Sequence, residues 1–162
     1  MAIPVLSCSS RPAAETEGDV LVIAVAKGDG GPVVLADGPL ADLAEPLAAV
    51  GATGAADELV RLPGGGVAAG SIAAIGLGAD EPDANALRRA AGAATRQLRG
   101  VGTVVLALPF DGPEQAAAIL EGAAIGAYAF EGYRSRPDAR SAAPTAIVLA
   151  GAGALSEEPV DA

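Results

Sequence analysis

The chain has 162 residues, about half of them hydrophobic, and carries a formal charge of −10 with no histidine. That length suits one domain with a sizeable core, the hydrophobic share is too high for a disordered acidic chain, and the acidic excess, unrelieved by any basic run, opposes nucleic-acid binding. No uninterrupted apolar run reaches the ~18 residues of a membrane span, and the lone Cys8 forms no internal disulfide, which fits the cytosol.

Val5-Leu6-Ser7-Cys8 lacks the basic leader and long apolar core of a lipoprotein signal. Residues 3–8 instead read as a short edge strand, where Pro4 is tolerated. After a polar connection from Ser9 to Gly18, Val20 to Ala26 is a continuous apolar run rich in β-branched residues, the mark of a strand buried on both faces of a parallel sheet. Lys27 to Pro32 is a flexible glycine-containing loop, and Val33-Val34-Leu35 reads as a short continuation. Leu40, Leu43, Leu47 and Val50 recur at helical spacing from Pro39 onward, and Pro46 is expected to kink or split that helix. Glu58 to Leu62 offers a brief strand, broken at Pro63-Gly64-Gly65-Gly66.

Ser71 to Leu77 is the next strand, closing on Gly78-Ala79-Asp80. A helix follows from about Pro82 to Leu98, with Ala86, Leu87, Ala90, Ala94 and Leu98 on its apolar side and Arg88, Arg89, Arg96 and Arg99 on its solvated side. Gly102 to Leu108 is another apolar strand, stopped by Pro109. The longest helical pattern opens at Gly112-Pro113-Glu114, with proline and acid suited to a first turn. Leu120, Ala123, Ala124, Ala127 and Tyr128 are its expected apolar face. Gly122 and Gly126 lie one turn apart and cost roughly 1 kcal/mol each against alanine, so close approach of a neighbouring backbone is expected to offset them. Tyr128, Phe130 and Tyr133, three of the four aromatic residues, are expected to wedge the end of this helix against the sheet. Arg134 to Ala143 is a charged loop, Thr145 to Leu149 a final strand, and Ser156 to Ala162 an acidic tail.

Strands alternating with helices define an α/β class with a mainly parallel or mixed sheet flanked by helices in three layers. No fixed-period repeat and no low-complexity linker divides the chain, so residues 1–162 read as one domain.

Glu121 to Phe130, followed by Tyr133-Arg134-Ser135, resembles the last helix of the N-terminal domain of the leucyl (cytosol) aminopeptidases. Ile75-Gly76-Leu77-Gly78 and Leu87-Arg88-Arg89-Ala90-Ala91-Gly92 are similar to further stretches of that domain, as are Val20 to Gly28, Glu58 to Leu62 and Val104 to Pro109. The resemblance implies a macro-domain-like fold, a cytoplasmic parent that forms hexamers, and a separate catalytic domain in which two divalent metals (Zn or Mn) activate a water for peptide hydrolysis. It implies that residues 156–162 lead toward that catalytic domain. The family's Asn-Thr-Asp-x-Glu-Gly-Arg motif has no match here, and Lys27-Gly-Asp-Gly-Gly follows an early strand of the wrong domain. No catalytic residue, metal ligand or cofactor is therefore assigned to this chain.

Without histidine, a metal site needs converging carboxylates, and Asp29, Asp37, Asp80, Glu81 and Asp83 are better explained by solvated loops and helix starts. Cys8 has no histidine to activate it as a nucleophile. Two glycine loops remain as ligand candidates. Gly76 and Gly78 follow a strand and precede a helix, where free amides can hold a phosphate, although Glu81 and Pro82 replace a third glycine and a tight structural turn is the plainer reading. Gly64, Gly65 and Gly66 resemble the loops that bind ligands at sheet edges, against the plainer reading of a connection between strands. Tyr133 and Arg134, beyond the helix, are candidates for contact with a partner domain. The expectation is thus a noncatalytic domain of a metal-dependent leucyl aminopeptidase, serving oligomer assembly or substrate access, with the parent's catalytic domain as partner and neither nucleic acid nor membrane. The alternative is a free-standing macro-like module that binds a nucleotide or ADP-ribose derivative.

Overall fold

Val20 to Ala26 are all buried to 2% exposure or less, the environment that a strand without any polar alternation requires. They form most of β2 (Val20–Gly28), the central strand of a sheet whose other members are β1 (Val5–Cys8), β3 (Gly31–Val34), β4 (Leu59–Pro63), β5 (Ser71–Gly76), β6 (Thr103–Ala107) and β7 (Ala146–Leu149). Among the described residues the sheet is joined by three α-helices, α1 (Ala44–Ala49), α2 (Ala84–Gln97) and α3 (Pro113–Ala127), and by short 3₁₀ segments. The computed structural model describes residues 3–36, 38–78, 81–128 and 142–151.

The sheet order is β1-β7-β6-β2-β5-β4. The first five of these strands run parallel, and β4 closes one edge antiparallel to β5. The β2 strand outruns β6: its first residues, Val20 to Ile23, pair with Val104 to Ala107, and its last, Val25 to Gly28, pair antiparallel with β3. The stretch expected as a continuation after Pro32 is therefore a hairpin. The connection turns through Gly31 at φ 128°, backbone that glycine adopts without a steric cost.

Alternation along β2 divides the core. Val20, Val22 and Ala24 face one side, packed with Leu87, Ala90 and Leu98 of α2 and its exit and with Ile119 and Ala123 of α3. Leu21, Ile23 and Val25 face the other, under Leu40 and Leu47. Those two come from a 3₁₀ segment (Gly38–Leu43) and from α1. The arrangement is three-layered, as expected. The break in the Pro39–Val50 helix falls at Leu43, where 3₁₀ gives way to α. Pro46 sits in the first turn of α1, where its missing N–H leaves no hydrogen bond unmade.

Each long helix is set by its start. Asp83 caps α2, its Oδ1 accepting from the Ala86 amide at 2.8 Å, which satisfies one of the orphan donors of the first turn. Pro113 opens α3 after Gly112 at φ 94°. The two helices then cross with almost nothing between their backbones. A Cβ on Gly122 would collide with the Arg88 carbonyl, and one on Gly126 with the Gly92 carbonyl and Thr95 Oγ1. The expected close approach is present, and its partner is α2. Thr95 is fully buried in this crossing, and its hydroxyl donates to the Ala123 carbonyl at 2.9 Å.

The buried face of α3 is Ile119, Gly122, Ala123, Gly126 and Ala127, rotated from the expected Leu120, Ala123, Ala124, Ala127 and Tyr128. Tyr128 ends the helix 49% exposed, so it is not wedged against the sheet. The glycines turn the helix, because only they allow α2 so near. Phe130, Tyr133, Arg134, much of the expected charged loop, and the tail from Ser156 to Ala162 lie outside the described residues.

Candidate functional site

In an open α/β sheet the carboxyl ends of the parallel strands form the usual ligand crevice, and Gly76 and Gly78 stand there, at the exit of β5. Their amides are already engaged. Gly76 N–H donates to the Glu58 carbonyl (2.8 Å), Leu77 N–H to Val25 (2.8 Å) and Gly78 N–H to Gly54 (2.9 Å). A phosphate cradle needs such donors free and convergent. Beyond Gly78, residues 79 and 80 lie outside the described residues, and the start of α2 is capped by Asp83 itself.

Two of the three acceptors, Glu58 and Gly54, belong to the segment from Ala52 to Glu58, which lies across the ends of β2 and β5, and the third, Val25, belongs to β2 itself. Gly54, at φ 82°, approaches so closely that a Cβ would collide with the Ala26 carbonyl, and Gly76 is packed equally tightly against the Ala55 carbonyl. Glu58 holds the segment in shape: its carboxylate accepts from the Thr53 hydroxyl and from the Thr53 amide, the latter at 2.9 Å. The Thr53 hydroxyl, then that amide, holds the Glu58 carboxyl below the usual carboxylate range. Asp57 is the described non-glycine residue at positive φ, 66°. Its carbonyl accepts from Gln97 Nε2 at 3.1 Å, and its carboxylate lies 3.8 Å from Arg89 Nε. This cover was missed in the sequence. Its available signals were Gly51 and Gly54 in quick succession and Thr53 placed five residues before an acid.

Gly64, Gly65 and Gly66 lie in the link from β4 to β5, at the amino end of β5 and therefore at the edge opposite the crevice. The turn is closed by Val67 N–H on the Gly64 carbonyl (3.3 Å) and is tied to the β1–β2 connection by Ala68 N–H on the Ala14 carbonyl (2.8 Å). The two glycine loops are thus not brought together.

Among the described residues, no three His, Cys, Asp or Glu side chains come together as a metal site would need, so these residues do not fit a metal ion. Asp29, Glu81 and Asp83 are exposed, and Asp37 and Asp80 lie outside the described residues. Cys8 is an exposed free thiol on β1. A shallow cleft between the starts of α2 and α3 is lined by Asp83, Asn85, Arg88, Glu114 and Gln115. Its one cation is partly engaged, with Arg88 Nη1 donating to Asn85 Oδ1 (2.7 Å) and Nη2 lying 3.6 Å from Glu121, while Nε is buried without a partner among the described residues. Among the described residues no helix is long and apolar enough to cross a membrane.

The class defined here is a layered α/β domain whose crevice, among the described residues, is covered by its own chain. Residues 32–137 match the cytosol aminopeptidase family, N-terminal domain. The chain belongs to that family, as its N-terminal domain. It is 47% identical over 134 residues to a probable cytosol aminopeptidase of Clavibacter michiganensis (83% of this chain, 27% of the relative). It is 48% identical over 151 residues to one from Leifsonia xyli (91% and 30%). In structure it is similar to a tomato leucine aminopeptidase mutant, with TM-score 0.70 at 18% identity over 97% of this chain and 34% of that one. It is also similar to the bottromycin maturation enzyme BotP, with TM-score 0.56 at 25% identity, 81% and 27% covered. The chain therefore spans less than a third of the length of these curated relatives.

Proposed function

We propose that this chain is the noncatalytic N-terminal domain of a cytoplasmic, metal-dependent leucyl aminopeptidase, and that it serves assembly of the parent oligomer, a hexamer, and access of peptides to a catalytic centre carried elsewhere in the parent. The observation that carries the reading is the family match to an N-terminal domain, on a chain that spans only 27–30% of relatives called probable cytosol aminopeptidases. The divalent metals, Zn or Mn, belong to the remaining two thirds of the parent; a structure of BotP in complex with Mn supports metal use among these relatives. The partner is the parent's catalytic domain. Tyr133 and Arg134, which lie a few residues past the end of α3 in sequence, remain the proposed residues of contact. The charge of −10 weighs against nucleic acid as a partner.

The test is hydrolysis of leucine p-nitroanilide with Mn²⁺ or Zn²⁺ by this chain and by its full-length parent. The parent turns the substrate over and the 162-residue chain does not; turnover that copurifies with the chain alone overturns the assignment. The alternative, a free-standing macro-like module for ADP-ribose or a nucleotide, would need ligand donors at Gly76 and Gly78 or at Gly64, Gly65 and Gly66. The engaged amides after β5 weigh against the first site, and the position of the second at the amino edge weighs against it. Calorimetry with ADP-ribose checks this directly, micromolar saturable binding being the outcome that would favour the module.

A further inference from the structure

The two end strands of the sheet order are unlike. The β4 edge has the features that discourage further pairing: an exposed Arg61 in the middle of the strand and Pro63 at its end. Strand β1 itself has neither, its nearest proline, Pro4, lying just before it. From Ile3 to Ser10 there is no charged residue, and all four residues of β1 are exposed. Ile3, Val5 and Leu6 are 78%, 68% and 43% exposed, with Val5 and Leu6 on opposite faces because side chains alternate along a strand. The inner side of β1 is paired with β7, Val5 N–H donating to the Thr145 carbonyl (2.9 Å) and Ser9 N–H to Leu149 (2.8 Å). By the same alternation the Leu6 and Cys8 amides point away from β7, and among the described residues no strand pairs with that side.

We propose that the open edge of β1 receives an extended segment from the remainder of the parent chain, adding a strand to the sheet. This rests on the reading of the chain as one domain of a longer peptidase. An added strand answers the geometry better than a helix: it meets the outward amides and flanks Val5 and Leu6 together, whereas a helix over one face would cover one of them. A second copy of this chain is the weaker occupant. Pairing two four-residue strands buries far less than the ~1,000 Å² that a specific interface between separate molecules needs. A tethered segment works at millimolar effective concentration and needs much less. The tether starts in the right place, since β7 is the immediate neighbour of β1 and Gly151 N–H, just past β7, donates to the Arg11 carbonyl (3.3 Å).

Amide hydrogen exchange, resolved by residue and compared between the 162-residue chain and the full-length parent, tests the proposal. Leu6 and Cys8 should exchange about tenfold or more slowly in the parent, with Val5 and Ser9 protected in both. Leu6→Pro removes one outward donor at an edge position that tolerates proline, and in the parent it should return Cys8 to the rate seen in the shorter chain. Equal rates at Leu6 and Cys8, with new protection on another face such as Ile125 and Tyr128, would overturn the strand addition and leave the domain reading intact. No new protection anywhere would count against both. Protection that grows with concentration in the 162-residue chain alone would make a second copy the occupant and overturn the proposal.

Discussion

Replacing Gly122 by alanine should destabilise this domain, although the same change on an exposed helix surface stabilises. Alanine raises helix propensity by about 1 kcal/mol over glycine. At Gly122 the added methyl meets the Arg88 carbonyl oxygen, with the carbonyl carbon at 2.7 Å and Cα at 2.9 Å, against the 3.4 Å or more of ordinary contact. All three atoms are backbone, so no side chain can rotate away. The helices must part by more than half an ångström, which loosens the Thr95 hydrogen bond to Ala123 and opens the packing of Leu87 and Ile119. Overpacking of this kind costs about 1–3 kcal/mol, and the weakened buried hydrogen bond about 1 kcal/mol. The net expectation is a loss of about 2 kcal/mol, or about 4–8 °C in Tm for a domain of this size. Gly92→Ala, whose methyl would lie 3.0 Å from the Gly122 carbonyl, should cost less. Urea and thermal denaturation followed by circular dichroism measure both variants. A Gly122→Ala protein with an unchanged or raised midpoint would refute the claim that backbone contact holds α2 against α3.

Glu58→Gln should be less stable than the native chain at pH 7, with the difference closing as pH falls. The Glu58 carboxyl is held below its usual range, chiefly by the Thr53 hydroxyl. Its contribution is therefore complete above the unfolded value of about 4.3 and disappears as pH drops through the lower folded value. Urea midpoints at pH 7 and pH 3 check this, and an equal gap at both would remove the carboxylate from the account. Asp83→Ala, which strips the cap from α2, should cost about 1 kcal/mol, with Asp83→Asn recovering most of it in the same melt.

The strands were legible wherever burial was two-sided. Val20 to Ala26, Ile72 to Ile75 and Val104 to Leu106 are unbroken apolar runs, and all are buried. The close approach at Gly122 and Gly126 was legible too, because two helix-weakening residues one turn apart call for a compensating contact. The rotation of α3 was not. Nearly every position of that helix is small or apolar, so hydrophobic spacing gives no sharp face, and a pattern that scores glycine as neutral places the stripe one residue away from the glycines that decide it. The β3 hairpin was hidden because it depends on β2 outrunning β6, a comparison between strands some eighty residues apart in sequence. The cover at the carboxyl edge was hidden for a similar reason. Ala52 to Glu58 reads as a turn-rich stretch, and its role comes from backbone hydrogen bonds to Gly76 and Gly78 and from close packing of Gly54 on β2 that side-chain types do not announce.

Pairing of β1 with β7 joins residues 5–8 to residues 146–149, and that bond between beginning and end has a consequence for birth on the ribosome. The first strand made is the last to find its neighbour. At ordinary translation speeds it waits on the order of ten seconds, while the hairpin of β2 and β3 has everything it needs much sooner and the helix pair slightly sooner. The uncharged stretch from Ile3 to Ser10 thus spends that interval without its strand partner, and nascent chains caught before residue 146 should be the ones that chaperones hold.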